Sequence, residues 1–178
     1  MIVAKIANSR NDEYYTPACA IYPIMKYLER GSVIWCPFDS DESLYVKIFK
    51  ANGFSVINTH ISTGGNFFKL NIECDYIISN PPYSIRIKVL ERLFSLNKRF
   101  AMLLGVVGLF DSRDKARLFK KNRFEIMYLN PRVRYFKDYS KQEKLISPPY
   151  QSVYLTSGIL PDRIIFEELI CDNMPNLF

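Results

Sequence analysis

The chain has 178 residues, of which 48% are hydrophobic, with 24 Lys/Arg against 18 Asp/Glu and a net charge of +6. This length fits a single folded domain, residues 1–178, and the apolar content excludes an intrinsically disordered chain. No apolar run approaches the roughly 20 residues that a membrane span needs. Residues 1–10 lack the core of a signal peptide, so we expect a cytoplasmic protein.

Two helix starts are marked early in the chain. Thr16 followed by Pro17 predicts a helix with Thr as the cap and Pro in the first turn, and apolar residues at helical spacing continue towards Gly31. Ser40 or Asp41 can cap a second helix, which residues 52–53 would end.

Helix and strand patterns alternate along the whole chain. Short apolar runs predict strands at residues 32–35, 54–59, 75–79, 100–104, 124–129 and 152–156. Helical spacing predicts further helices at residues 85–94, 111–121 and 163–170, and residues 137–149 are typical of a polar loop. This alternation indicates an α/β domain with a mostly parallel sheet flanked by helices, which binds ligands at the carboxyl ends of its strands.

The most informative stretch is the tetrapeptide Asn80-Pro81-Pro82-Tyr83, which follows the apolar strand at residues 75–79. Two successive prolines end the sheet ladder and hold the backbone rigid, so the acceptors of Asn80 and Pro81 point in set directions. Two acceptors can converge on the two hydrogens of one amino group, and Tyr83 offers a flat face for a planar group. Such a site suits methyl transfer to an amino nitrogen by positioning and electrostatics. A rigid turn without chemistry is the alternative interpretation.

At this tetrapeptide the chain resembles the amino-methyltransferase superfamily with an Asn-Pro-Pro-Tyr signature, and in particular phage and restriction-modification DNA adenine-N6 methyltransferases. The resemblance covers about residues 14–154. It implies a Rossmann-like S-adenosylmethionine-dependent fold in which all four residues of the tetrapeptide are catalytic. It also implies that Tyr15, Thr16 and Pro17, which are similar to the family's N-terminal Thr-Pro segment, contact the cofactor.

The family's cofactor loop follows the first strand, and Pro37-Phe38 resembles its start, although no glycine follows in residues 39–42. Asp39 and Asp41 can meet the amino group of the cofactor, or they can be helix-start residues only. The resemblance thus implies that Pro37, Phe38 and Asp39 bind S-adenosylmethionine.

The acidic residue that the family uses for the ribose hydroxyls is missing after the second strand, where Asn58, Thr59 and His60 stand instead. His60 can be a cofactor contact or a structural residue. Asn66 and Phe67 resemble the family's adenine-contacting motif, with Asn where Asp is common; the Asn oxygen can still accept a bond from the adenine amino group.

Positive charge is concentrated in residues 86–144, which contain 16 Lys/Arg and 6 Asp/Glu. We take Arg113 and Lys115 in the predicted basic helix, and Arg132 and Arg134 after the next strand, as candidate contacts to nucleic acid phosphates. A solvated basic face with no partner explains the charge equally well.

The four cysteines, Cys19, Cys36, Cys74 and Cys171, lie far apart and form no CxxC pair, and the chain has one histidine. This pattern argues against a zinc site and favours four buried reduced thiols. We therefore expect no metal.

Three functional hypotheses remain. The first is N6-adenine methylation of DNA, with the target base flipped out onto Tyr83 and with sequence specificity that is weak or comes from a homodimer or a partner. The second is the same chemistry on RNA. The third is a degenerate methyltransferase fold that binds nucleic acid or a partner chain without catalysis. The missing glycines and the missing ribose acid favour this third hypothesis.

Overall fold

The computed structural model describes residues 15–136 and 150–171. The described strands are β1 (Val33–Cys36), β2 (Ser55–Asn58), β3 (Tyr76–Ser79), β4 (Arg99–Gly105), β5 (Glu125–Asn130), β6 (Ser152–Ser157) and β7 (Ile164–Glu168). The helices are α1 (Ala18–Met25), α2 (Leu44–Ala51), α3 (Arg86–Leu96) and α4 (Arg113–Lys121), with short 3-10 turns η1 (Ile61–Thr63) and η2 (Tyr83–Ile85). The polar loop predicted at residues 137–149 lies outside the described residues. No helix in the described ranges is long and apolar enough to cross a membrane.

The seven strands form one sheet in the order β2-β1-β3-β4-β6-β5-β7. The pairs β1–β2, β1–β3, β3–β4 and β5–β7 are parallel, whereas β6 runs antiparallel to both of its neighbours. The carboxyl ends of every strand except β6 therefore meet at one edge. The predicted mostly parallel α/β sheet with flanking helices is confirmed.

The core lies on both faces of the sheet because side chains alternate along each strand. Ile34 and Ile78 pack with apolar residues of α1 and α2, whereas Trp35 and Ile77 pack with α3 and with Phe119 of α4. Burial on both faces explains why the central strands are continuous apolar runs in the sequence.

The predicted cap of α1 is wrong. Pro17 occupies the N-cap position, and no side chain caps the helix. The Thr16 hydroxyl instead accepts a hydrogen bond from Asn80, because α1 lies next to the end of β3. The helix also ends at Met25, before the predicted Gly31, and further turns lead from there to β1.

The predicted caps of α2, Ser40 and Asp41, are also wrong. The N-cap is Ser43, whose hydroxyl accepts a hydrogen bond from the Tyr45 amide at 3.2 Å. The Ser43 amide donates to the Ser40 carbonyl, so a turn separates β1 from the helix.

The helix predicted at residues 163–170 is wrong, because this segment forms the edge strand β7. Ile165 and Glu167 face α1, where Glu167 accepts hydrogen bonds from Lys26 and Tyr27. Phe166 stands on the opposite face and is 74% exposed. The apolar spacing resembles a helix, but β-branched and aromatic residues favour the strand once β5 offers a partner.

The prediction of four reduced thiols fails for two of them, because Cys19 and Cys171 form a disulfide. Their Cα atoms are 5.1 Å apart although 152 residues separate them in sequence, since the segment after β7 returns to α1. Cys36 is buried and Cys74 half-buried, and both are free.

Candidate active site

A cleft of about 560 Å³ opens at the carboxyl edge of the sheet, beyond β1, β2, β3 and β4. Eleven of the twelve predicted catalytic and cofactor residues line it: Tyr15, Thr16, Pro37, Phe38, Asp39, Asn66, Phe67, Asn80, Pro81, Pro82 and Tyr83. The twelfth, Pro17, is buried at the start of α1. The fold thus brings together segments that lie up to 68 positions apart in sequence.

Asn80 is the first residue after β3 and is half-buried at the cleft wall. Its Nδ2 donates to Thr16 Oγ1 at 3.2 Å. This bond holds the amide plane and gives the accepting role to Oδ1. The Thr-Pro segment is therefore in direct contact with the tetrapeptide.

Tyr83 is held by neighbours that sequence reasoning did not identify. Its hydroxyl donates to the Val107 carbonyl at 3.1 Å, and the Arg86 guanidinium lies 3.9 Å from the centre of its ring. The Tyr150 ring lies 6.2 Å away, centre to centre, at an interplanar angle of 30°. Tyr83 and Tyr150 thus place two aromatic rings at the cleft wall, a surface that suits a planar ligand.

Tyr150 reaches this position because Gly105, the last residue of β4, has no side chain. A Cβ at Gly105 would lie 2.8 Å from two ring carbons of Tyr150. Nothing in the sequence separates Tyr150 from the other 11 tyrosines, since its role depends on the pairing of β4 with β6.

Asp39 links the cofactor loop to the tetrapeptide. Its buried carboxylate accepts a 2.5 Å hydrogen bond from the Ser43 hydroxyl and another from the hydroxyl of Ser79, the residue before Asn80. Burial raises the pKa of Asp39 to about 6, although these two bonds and nearby His60 partly oppose the shift. Of the two predicted roles, the structure places Asp39 in contact with the start of α2. Asp41 is exposed.

Phe67 forms an apolar wall of the cleft, on the side where the sequence predicts cofactor binding. It is 3% exposed, and its ring centre lies 5.1 Å from that of Phe38 and 5.4 Å from that of Trp35. Arg92 of α3 holds the segment by donating to the Phe67 carbonyl at 2.9 Å. The Asn66 side-chain oxygen accepts from the Phe68 amide at 2.9 Å, which shapes the turn.

The residues after β2 are engaged with their neighbours. The Thr59 hydroxyl accepts from the Trp35 indole at 3.0 Å, and Asn58 donates to the Asp39 carbonyl at 3.4 Å. His60 lines the cleft, and its Nδ1 lies 2.6 Å from the Ser62 hydroxyl. Polar groups are thus present where the predicted ribose acid is missing.

The four predicted phosphate contacts differ in setting. Arg113 begins α4, after the loop that leaves the cleft end of β4, and is exposed. Lys115 donates to Asp111 at 2.6 Å and to the Gly108 carbonyl at 2.7 Å. Arg132 and Arg134 are exposed on the segment that leaves β5 for the cleft.

That segment reaches the cofactor side of the molecule. Phe136 pairs with Tyr15 in an antiparallel bridge, with N···O distances of 2.9 and 3.2 Å. Val133 and Tyr135 point into the core, so the alternating Arg132 and Arg134 point outward. Arg134 therefore points outward next to Tyr135, which lines the cleft, and Arg132 points outward two residues earlier.

No protein-family model matches the sequence, and no curated protein matches it. Solved structures do match. The methyltransferase subunit of a type I restriction-modification system from Streptococcus thermophilus aligns over 93% of this chain and 49% of its own, with 12% identity and a TM-score of 0.54. A protein assigned as the modification subunit of a type I restriction enzyme from Vibrio vulnificus YJ016 aligns over 92% and 48%, with 13% identity and a TM-score of 0.53.

A third similar structure is a chain from a type I restriction-modification assembly, aligned over 98% of this chain and 48% of its own, with 12% identity and a TM-score of 0.52. The present chain spans about half the length of these three structures. The likeness establishes the fold, which is the Rossmann-like fold of methyltransferase subunits. Activity has to be argued from the site itself.

Proposed function

We propose that this chain transfers a methyl group from S-adenosylmethionine to the exocyclic N6 of adenine in DNA. The observation that carries the proposal is the position of the tetrapeptide: Asn80 and Tyr83 line one cleft with the aromatic wall of Phe38 and Phe67. A planar amino group and an aromatic cofactor can therefore occupy the two sides of a single site at the carboxyl edge of the sheet.

The tetrapeptide would act on the amino group. The Asn80 Oδ1 and the Pro81 carbonyl accept its two hydrogens, which favours the pyramidal nitrogen that attacks a methyl group. Because Asn80 already donates to Thr16, its oxygen is the group oriented for this task. The adenine ring stacks on Tyr83. No strong base is required, since the nitrogen proton becomes acidic once the methyl is attached, and catalysis comes from positioning and electrostatics.

The cofactor side fits S-adenosylmethionine, which supplies an electrophilic methyl on a sulphonium. Phe38 and Phe67 form an apolar wall for its adenine ring, and the cleft volume of about 560 Å³ lies in the range of small-molecule sites. His60 and Ser62 offer polar groups for the ribose, and Tyr15 and Thr16 lie next to the tetrapeptide.

The basic residues would hold the nucleic acid. Arg113, Arg132 and Arg134 lie near the carboxyl edge, where phosphates beside a flipped base would pass. We expect DNA binding to weaken steeply with salt. We expect a cytoplasmic location. We also expect sequence specificity that is weak or that depends on a dimer or partner, and a restriction-fragment assay tests this specificity. Modification confined to one short sequence by the isolated chain would contradict weak specificity.

A second candidate is a non-catalytic module of the same fold. The observation that favours it is the cofactor loop: residues 36–43 contain no glycine, and the Asp39 carboxylate is already bonded to Ser43 and Ser79. Against it stands the complete tetrapeptide, whose acceptors a pure binding module would not need.

The deciding experiment is transfer of labelled methyl from S-adenosylmethionine to duplex DNA, with RNA in parallel and Asn80→Ala as the control. N6-methyladenine in DNA that is lost in the variant would support the proposal, and label in RNA alone would change the substrate class. Folded protein that neither transfers label nor binds the cofactor by calorimetry at millimolar concentration would favour the non-catalytic module.

A further inference from the structure

Arg86, the first residue of α3, is a buried cation beside the tetrapeptide. Its side chain is 6% exposed, and its guanidinium carbon lies 3.9 Å from the centre of the Tyr83 ring. Its Nη2 donates to the Val107 carbonyl at 2.9 Å and its Nη1 to the Gly105 carbonyl at 3.5 Å. Tyr83 donates to the same Val107 carbonyl. Arg86 and Tyr83 are therefore joined both by ring contact and by a shared acceptor.

The loop after β4 is built to admit this guanidinium. Gly108 has a positive φ of 70°, and a Cβ there would lie 2.9 Å from Arg86 Nη2. Lys115 donates to the Gly108 carbonyl and so holds the other side of the turn. A glycine thus meets both a backbone and a space requirement at this position.

Within residues 15–136 and 150–171, no Asp or Glu forms an ion pair with Arg86. A buried charge is costly unless other groups compensate for it. Here the compensation comes from two backbone carbonyls, from the face of Tyr83 and from the nearby Asp111 carboxylate, whose pKa is lowered by Lys115 and to a smaller degree by Arg86. A planar guanidinium can donate to carbonyls and lie over an aromatic ring at once, which the ammonium group of lysine does less well.

We propose that Arg86 is a positioning residue of the transfer reaction: it covers one face of the Tyr83 ring and ties that ring to the loop after β4, so that the opposite face receives the target base. This inference rests on the proposed function. Arg86 lies outside the tetrapeptide. It affects the position of the target base and does not affect the binding of the cofactor.

Two variants and a matched control test it. Arg86→Met removes the cation, and Arg86→Lys retains the charge but loses the planar donors. Arg99→Met is the control, because the Arg99 guanidinium carbon lies 4.2 Å from the centre of the Tyr76 ring, and Arg99 begins β4 at the opposite edge of the sheet from the cleft. For each chain, kcat and the KM for S-adenosylmethionine are measured on duplex DNA, together with the melting temperature.

We expect Arg86→Met to lower kcat by about 10²-fold, the cost of misplacing a reacting group by about 1 Å, with the cofactor KM changed less than about two-fold. Arg86→Lys should recover part of the loss, and Arg99→Met should keep the wild-type kcat. In fluorotyrosine-labelled protein, the ¹⁹F resonance of Tyr83, assigned by its absence in Tyr83→Phe, should shift in Arg86→Met and stay in place in Arg99→Met.

An Arg86→Met chain with wild-type kcat would overturn the inference and leave the proposed function standing. A loss of kcat with an equal rise in the cofactor KM would also overturn it, since a general structural defect would produce that pattern. No transfer by the wild-type chain would instead overturn the proposed function, and the positioning role of Arg86 with it. If Arg86→Met does not fold, Arg86→Lys serves in its place, because it keeps the charge and loses only the planar donors.

Discussion

The two halves of the cleft are built differently. The target half, made of Asn80, Tyr83, Gly105 and Tyr150, matches the expected tetrapeptide completely and adds a second aromatic ring. The cofactor half, made of Phe38, Asp39, His60, Asn66 and Phe67, lacks the expected glycines and ribose acid. Departures from the family pattern are therefore confined to the side that would bind the cofactor.

One helix and one carboxylate connect the two halves. From α3, Arg86 holds the loop beside Tyr83 and Arg92 holds the segment of Phe67. Asp39 joins the start of α2 to Ser79 at the end of β3. The cofactor half is therefore shaped by aromatic packing and a buried carboxyl, whereas the target half is shaped by oriented polar groups. Substitutions in one half of the cleft should therefore leave the function of the other half unchanged.

The largest effect is expected from Asn80→Ala, which removes the predicted acceptor of the target half together with the Nδ2 donor to Thr16. Loss of one oriented polar group in a preorganised site typically costs about 10²–10³-fold in rate, so methyl transfer should fall by that amount. Calorimetry should show cofactor binding within about two-fold of wild type, because Asn80 is not part of the aromatic wall.

Asn122→Ala is the matched control for this variant. Asn122 caps α4, and its side chain donates to the Leu118 carbonyl at 2.8 Å, far in sequence from the tetrapeptide. Equal loss of methyl transfer in both variants would show that Asn80 contributes only to folding stability. Loss of cofactor affinity in Asn80→Ala would show that the two halves of the cleft do not act independently.

The next effect concerns Asp39, whose pKa of about 6 in the folded chain exceeds its ordinary value of 3.8. The folded state then holds a proton that the unfolded chain releases, so stability from this group is present below pH 4 and is lost as pH rises through 6. In Asp39→Asn this side chain does not titrate, so the variant does not lose this stability as the pH rises. Between pH 4 and 7 the unfolding free energy of the wild type should therefore fall by about 2 kcal/mol relative to that of the variant.

Denaturant midpoints at the two pH values measure this difference. Asp41→Asn is the control, because the Asp41 side chain is 83% exposed, and it should follow wild type. If Asp39→Asn also follows wild type, then the Asp39 carboxyl does not carry a raised pKa, and the link between the halves is weaker than its hydrogen bonds indicate.

A smaller effect is expected from Gly105→Ala. The added Cβ would lie 2.8 Å from the Tyr150 ring, so the ring must move away from Tyr83. Transfer should fall by about 10-fold, less than for a full 1 Å misplacement of a reacting group. In a Tyr150→Ala background the same substitution should have no further effect, since the two act through one contact. Additive losses would show that Gly105 matters for another reason.

The smallest effect concerns the basic residues beside the cleft. Arg134→Ala should reduce the slope of log affinity against log salt by about 1 for duplex DNA, because one phosphate contact is lost. Arg30→Ala is the control, since Arg30 is exposed just before β1, at the far edge of the sheet. Equal slopes for Arg134→Ala and wild type would remove Arg134 from the DNA interface.

Local pattern was sufficient for much of the fold. The apolar runs of β1, β3 and β4 were visible because both faces of each strand are buried, and the prolines after β3 marked where the sheet ends. The tetrapeptide was also evident from sequence, since its chemistry lies in four adjacent residues.

The tertiary structure decided what depends on distant partners. The segment at residues 163–170 forms a strand because it pairs with β5. Thr16 does not cap α1, because its hydroxyl accepts a hydrogen bond from Asn80. Cys19 contacts Cys171, and Tyr150 contacts Tyr83, across sequence intervals that no local pattern encodes. The sequence by itself determined six of the seven described strands and the position of the tetrapeptide, through short-range periodicity and backbone restriction. Only the packed sheet decided which side chains surround that tetrapeptide, because those contacts arise from strand order.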